Sequence, residues 1–308
     1  MIHTADDARG YTHPLYAESL AEFGRPHLLP QSQGWILERT IPETGYTDAM
    51  GCYPLFVCRS WNDLPADLSA LERELVSLAV VIDPFAGIQP EKLPDCFPDV
   101  RFEFKPHCLA DLSQDPATYV TKHHRYYARR ALTEVSVEHT DTPMEFIDDW
   151  CRLYHCLVLR HGLTGLRAFS RRAFSYQLRV PGAVLFRALF KGEAVAAHLW
   201  YVMGDVAYSH LAASNDIGYG LQASYALYSA AMAHFNGRVR WLELGGSSGV
   251  GQAATDGLWR FKQGWSSTTR SSYFCGRIHN TDHYRCLTAN LAGGASGYFP
   301  AYRQRVLD

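Results

Sequence analysis

The stretch that decides the fold runs from residue 184 to residue 213. Val184–Phe190 reads VLFRALF, Glu193–Met203 reads EAVAAHLWYVM, and Val206–Ala213 reads VAYSHLAA. Lys191-Gly192 and Gly204-Asp205 separate the three runs. Runs rich in apolar and aromatic residues, joined by two-residue turns that carry glycine, predict an antiparallel meander of three strands. Downstream, Leu221–Phe235 predicts a helix rich in Ala and Tyr, stopped by Gly237. Val239–Leu244 (VRWLEL) predicts a strand and Gly245-Gly246 opens a loop. Thr255–Gln263 predicts a short helix, and Ser271–Cys275 a last strand.

Upstream the pattern alternates. Pro54–Ser60 (PLFVCRS) predicts a strand, and Asp67–Val76 a helix with Leu68, Leu71 and Leu75 on one face. Ser77–Ile82 (SLAVVI), ended by Asp83-Pro84, predicts a buried strand, and Val100–Lys105 another. A helix is expected over Pro116–Leu132, with Asp115 as its cap and Pro116 in its first turn. A strand over Val135–His139 and a helix over Met144–Arg160 follow. Residues 1–34, polar and punctuated by Pro and Gly, read as peripheral. The class is α+β, in mixed α/β layers.

Composition sets the bounds. A 308-residue chain with 47% apolar and 19% charged residues buries a sizeable core, which excludes global disorder. There is no run of about 18 apolar residues, so no membrane-spanning helix is expected. The start, Met1 to Asp7, places acids where a signal peptide needs a basic and then an apolar stretch, so a soluble cytoplasmic protein is expected. Eight cysteines without a Cys-x-x-Cys pair read as reduced thiols. His123 and His124 are adjacent and diverge by about 100° on a helix, so no metal site is expected. The net charge of −2 conceals an asymmetry: residues 1–120 carry −10 and residues 121–308 carry +8. Such polarity suits a polyanion on one side, or simply segregates by domain.

Four motifs carry a family resemblance. Asp111-Leu-Ser113 precedes a basic helix with Lys122, Arg125, Arg129 and Arg130, completed by Ala131. Tyr208-Ser-His210-Leu-Ala-Ala-Ser214 runs through Gly218 and Gly220 into a helix. Trp241-Leu-Glu243-Leu-Gly245-Gly246 is the third, and Gly257-Leu-Trp-Arg-Phe261-Lys262-Gln-Gly264-Trp265 the fourth. The ending, Tyr298 to Arg303, fits the same set. In this order they resemble the Fem-type family, which builds peptide bonds from aminoacyl-tRNA, and its GNAT-like relatives. The resemblance covers roughly residues 50–303. It implies two tandem GNAT-like domains, each a mostly antiparallel mixed sheet with flanking helices. The expected division is an acidic, degenerate domain at 1–140 and a domain at 141–308 carrying the transferase motifs. Two departures stand out: Glu243 occupies a position that usually holds Asp, and the long heptad arm of some tRNA-dependent members is missing.

Acylation of an amine needs a held donor, a proton acceptor and a group that stabilises the oxyanion. Lys262, one of only five lysines against 24 arginines, is the first candidate for the oxyanion or a donor phosphate. Phe261 is expected beside the donor. His210, Ser214 and Glu243 are candidate proton acceptors, with His210 and Ser214 expected on one strand face, and Asp256 is a weaker one. Lys122, Arg125 and Arg129 share one helical face with Arg130 at its flank, suited to phosphate or to solvent. Tyr126 and Tyr127 read equally as base-stacking or core residues. Gly218 and Gly220 approximate an acyl-CoA loop but are also ordinary turn residues. The resemblance implies transfer of an aminoacyl group from aminoacyl-tRNA to an amine of a small molecule or peptide. No cofactor beyond that co-substrate is expected. An acyl-CoA-dependent N-acyltransferase and a non-catalytic binding module on the same fold are the alternatives.

Overall fold

The computed structural model describes residues 8–247, 257–289 and 298–306. Strands β1 (Arg25–Leu29), β2 (Gly34–Thr40), β3 (Thr47–Gly51), β4 (Ser77–Ile82) and β5 (Val100–Asp111) occupy the first third of the chain. Then come β6 (Ser136–Thr140), β7 (Ala183–Phe190), β8 (Glu193–Met203), β9 (Val206–Ser214), β10 (Trp241–Gly245) and β11 (Thr268–Ile278). The helices are α1 (Pro14–Glu18), α2 (Leu64–Ala70), α3 (Leu93–Cys96), α4 (Pro116–Tyr119), α5 (Lys122–Glu134) and α6 (Ile147–His161). They continue with α7 (Arg171–Gln177), α8 (Asp216–Gly220), α9 (Ala223–Phe235), α10 (Gly257–Gln263) and α11 (Thr281–Thr288). Among the described residues no helix is long and apolar enough to cross a membrane.

The chain forms two compact units, and neither is a continuous segment. Unit 1 comprises residues 1–19 and 105–270, and unit 2 comprises 20–104 and 271–308. The expected boundary at 140/141 therefore differs from the observed division and falls inside unit 1, between β6 and the helices that follow. Fold class holds: each unit is a mostly antiparallel mixed sheet with flanking helices. In unit 1 the order is β5-β10-β9-β8-β7-β6, with β9 and β10 parallel. In unit 2 it is β1-β2-β3-β4-β11, with β3 and β4 parallel.

The core of unit 1 gathers alternate residues of its strands under α5 and α9. Phe186, Ala196, Trp200, Ala207, Leu242 and Leu244 meet Ala128, Ala131, Ala226 and Phe235 there. Alanines at the helix contacts let α5 and α9 lie close together. In unit 2, Ile36, Leu78, Val80 and Ile82 pack on Leu64, Leu68 and Phe97.

Three expectations change. The stretch expected to be peripheral at 1–34 is not so over its described residues 8–34: Tyr16 and Leu20 are fully buried, and Arg25–Leu29 is a strand paired with β2. Aromatic rings placed among polar residues carry that segment inward. Pro54–Ser60 is not a strand. Only Phe56 forms a bridge, to Ile82. The helix expected over Pro116–Leu132 is two helices, because Val120 and Thr121 are extended and Thr121 caps α5 by accepting from the His124 N–H at 3.2 Å. Asp115 caps α4 as expected, accepting from the Ala117 N–H at 2.9 Å.

Candidate active site

The parallel pair in unit 1 has a short register. Trp241, Leu242 and Glu243 of β10 oppose Val206, Ala207 and Tyr208 of β9. Beyond Tyr208 strand β9 continues beside β8 to Ser214, while β10 shifts register against β5 and ends at Gly245. Ends of adjacent parallel strands are where α/β sheets place ligand crevices.

Glu243 sits between the core residues Leu242 and Leu244 and is 3% exposed. Its Oε1 accepts from the His107 Nδ1–H and from the Gly245 N–H, both at 2.7 Å. Gly245 has φ +86°, and a Cβ there would lie 2.6 Å from Lys262 Nζ. Glycine at 245 is thus required by backbone conformation, and it lets the lysine end approach the turn. Lys262 Nζ donates to Gly246 O at 2.9 Å, and Lys105 Nζ donates to Ser247 O at 3.3 Å. Two of the chain's five lysines therefore hold successive carbonyls of one loop.

His124 ties the first motif to the fourth. Its Nε2–H donates to Phe261 O at 2.9 Å, so Nδ1 accepts from Thr121 Oγ1–H at 2.6 Å. A Cβ on Gly264 would collide with the imidazole, and the Thr121 N–H donates to Gly264 O at 3.1 Å. The start of α5 and the end of α10 are thereby one joint, with the His124 ring against Trp265, Phe261 and Tyr225 at 5.2 to 5.6 Å between centroids. Burial lowers the His124 pKa, and the Phe261 carbonyl offsets that in part. Phe261 thus packs on Tyr225 and Tyr228 as core and offers its carbonyl to the joint.

A buried polar group lies beneath this joint. His198 of β8, fully buried between Trp200 and Tyr228, shares a 2.8 Å hydrogen bond with Ser209 Oγ. Burial, with the Lys262 charge second, pushes its pKa down to about 3, so the ring is neutral. Burial likewise raises the Cys108 thiol to about 11, which makes it a poor nucleophile.

The pairing separates His210 from Ser214. Trp200 opposes Ser209 and Leu199 opposes Leu211, so His210 is an extra residue in β9. One inserted residue reverses the alternation. His210 turns into an aromatic cage of Tyr11, Tyr16, Tyr201 and Phe169, whereas Ser214 opposes Ala196 in register with His198. The single-face expectation fails for that reason. Both His210 nitrogens are engaged, by Gln177 Oε1 at 3.3 Å and Tyr11 Oη at 3.2 Å. Burial drives its pKa to about 3. This histidine fastens residues 10–18 to the sheet, and neither nitrogen is available to a substrate.

Gly218 is needed for contact, since a Cβ there would strike Val195 O in β8. Its N–H is taken by Asn215 Oδ1 at 2.9 Å, which caps the single turn α8. A Cβ at Gly220 meets nothing within 4 Å. The turn reading fits these two glycines better than a diphosphate cradle. On α5, Lys122, Arg129 and Arg130 are exposed around Tyr126, which is 58% exposed. Arg125 instead donates Nη1 to Ala117 O at 2.7 Å and Val120 O at 2.9 Å, closing the break between α4 and α5. Tyr127 packs on His123 and Tyr225. Asp111 and Ser113 form the turn ending β5: the Ser113 N–H and hydroxyl donate to Asp111 Oδ1 at 3.1 and 2.6 Å.

Sequence reasoning missed His107, Lys105, His198 and Ser209. For His107 a signal existed: Cys108 and Ala110 alternate as core positions, which puts His107 in phase with Asp111 on one strand. Asp256 lies outside the described residues.

No protein-family model matches the sequence, and no curated protein matches it. Solved structures do. FemX is 13% identical with a TM-score of 0.66, covering 93% of this chain and 98% of its own. The C-terminal domain of a putative lysylphosphatidylglycerol synthetase from Agrobacterium fabrum is 14% identical, with a TM-score of 0.60 over 89% of this chain and 90% of its own. L-PGS from Bacillus licheniformis is 14% identical, with a TM-score of 0.58 over 89% and 94%. At such identities the likeness speaks for the fold, and this chain shares the fold of FemX along nearly its whole length.

Proposed function

We propose that unit 1 is an acyltransferase centre that moves an aminoacyl group from aminoacyl-tRNA to the amine of a small molecule or peptide, forming an amide. One observation carries the reading: Lys262 is anchored on the Gly245-Gly246 turn that also donates to Glu243, at the end of a parallel strand pair. An ammonium held there meets a developing oxyanion at little reorganisation cost. Neighbouring residues supply the remaining needs. His107 and Glu243 are proton-handling groups, and the exposed Lys122, Arg129 and Arg130 around Tyr126 suit a phosphodiester with a stacked base. The likeness to FemX and to lysylphosphatidylglycerol synthetases supports this reaction class. The occupied Gly218 N–H favours tRNA over a coenzyme A diphosphate as donor. In this reading the co-substrate brings the activated ester and no further cofactor takes part.

The test is product formation by mass spectrometry. Purified protein receives charged total tRNA and an amine pool, with and without ribonuclease, beside a parallel reaction with acyl-CoAs. A ribonuclease-sensitive aminoacyl adduct is expected. An adduct formed only with acyl-CoA replaces the donor, and binding of charged tRNA without turnover of any donor makes the chain a recognition module.

A further inference from the structure

Within that acyl-transfer reading, we infer that His107 is the group that takes the proton from the attacking amine and that Glu243 positions it. Glu243 is the acid that sequence reasoning selects, and its geometry suits it to hold the His107 ring. Its Oε1 already accepts two hydrogen bonds, and the side chain is walled in at 3% exposure. The shared bond at Oε1 makes this carboxylate the group that fixes the orientation of the His107 ring.

His107 is placed the opposite way. The bond to Glu243 puts the ring proton on Nδ1 and leaves the Nε2 lone pair open. Nε2 has no hydrogen-bond partner among the described residues, and solvent reaches it although the residue is only 8% exposed. The Cδ2 edge beside Nε2 lies 3.4 Å from where a Gly246 Cβ would stand, and Gly246 O is the acceptor of Lys262. A proton acceptor and an ammonium thus flank a single glycine. The charged and titratable groups around His107 are Glu243 from β10, Lys105 from its own strand and Lys262 from α10, with Cys108 and Tyr228 beside Glu243.

The step balances with these groups alone. The neutral amine attacks the ester carbonyl carbon, a C–N bond forms, and the carbonyl pair moves to oxygen beside Lys262. Nε2 takes a proton from the new ammonium. The oxyanion recloses, the ester C–O bond breaks, and the departing ribose oxygen receives the proton from Nε2–H. Amide and free hydroxyl leave, and the imidazole is neutral again.

The test uses the full chain, the donor that supports turnover, and two acceptors: a primary amine and hydroxylamine, a much weaker base whose adduct nitrogen loses its proton to water without a dedicated base. His107→Gln is expected to lower kcat with the amine by about 10²–10⁴-fold while KM barely moves. Hydroxylamine turnover is expected to survive, and Glu243→Gln to shift the rising limb of the pH profile. Equal loss with both acceptors, or a wild-type kcat and pH profile, overturns the assignment. Wild-type protein that turns over no donor overturns the reaction reading instead. Should His107→Gln fail to fold, diethylpyrocarbonate on the native chain with peptide mapping replaces it. Activity lost in step with modification at His107 is expected, and full activity on protein modified there refutes the assignment.

Discussion

Among the described residues each unit contains one parallel strand pair, and the two pairs end differently. In unit 2, β3 meets β4 only at Ala49–Leu78 and Met50–Ala79. Beyond β3 the chain returns, and Phe56 covers the exposed edge of β4: its N–H donates to Val81 O and its carbonyl accepts from the Asp83 N–H. Gly51 is close-packed, since a Cβ there would touch Phe56 and Val80 at 3.0 and 3.2 Å. In unit 1 the same kind of ending is bordered by Glu243, His107, Lys105 and Lys262. One divergence is sealed with an aromatic ring and the other is lined with ionisable groups. A sealed end contributes stability, whereas a polar end carries a desolvation cost that the proposed chemistry would account for.

The sharpest way to break this comparison is to open the sealed end. Phe56→Ala is expected to cost about 3–5 kcal/mol in chemical denaturation. Turnover per folded molecule should hardly change, and a large drop in kcat would show that unit 2 takes part in the chemistry. At the polar end, Lys262→Ala is expected to lose roughly 10²–10³-fold in kcat, about 2.7–4 kcal/mol of transition-state stabilisation, with little change in melting temperature. Unaltered turnover would make that lysine a mere loop anchor.

Gly264→Ala separates support from chemistry. It forces His124 out of the joint, so a loss of about 1–3 kcal/mol in stability is expected. A fall in activity should accompany it, read from unfolding curves and initial rates. Acid provides a further contrast. His198 and His210 are held near pKa 3 against an ordinary 6.5, so the unfolded state binds protons that the folded state excludes. Their contribution is whole above about pH 6.5 and is lost progressively as pH falls toward about 3. His210→Gln should flatten the pH dependence of unfolding there, and an unchanged slope would locate the acid sensitivity elsewhere. The smallest effect is expected on α5. Arg129→Ala should reduce the slope of log affinity for tRNA against log salt by about 0.7–0.9, as filter binding reads it.

Legibility followed how local each signal was. Ser77–Ile82 and Glu193–Met203 were readable to the residue, because apolar runs bounded by turn residues need no distant partner. β2 and β3 escaped, since Gly34–Gly51 owes its pairing to neighbours more than to pattern. The reversal at His210 is a property of pairing with β8, and no spacing within β9 announces it. Lys262 stood out by its rarity. His107 did not, because its meaning depends on Glu243, 136 residues away in the chain.

The interleaved division of the chain has a consequence for synthesis. Strand β4 emerges from the ribosome long before β11, its partner at Tyr273–Ile278, and Tyr11 long before His210. The meander β7–β9, whose pairs are close in sequence, can form as soon as it is made. The nascent amino-terminal third must instead wait, with the β4 backbone edge that pairs with β11 left open. An open strand edge of this kind is the exposure that invites pairing with other chains while translation is under way.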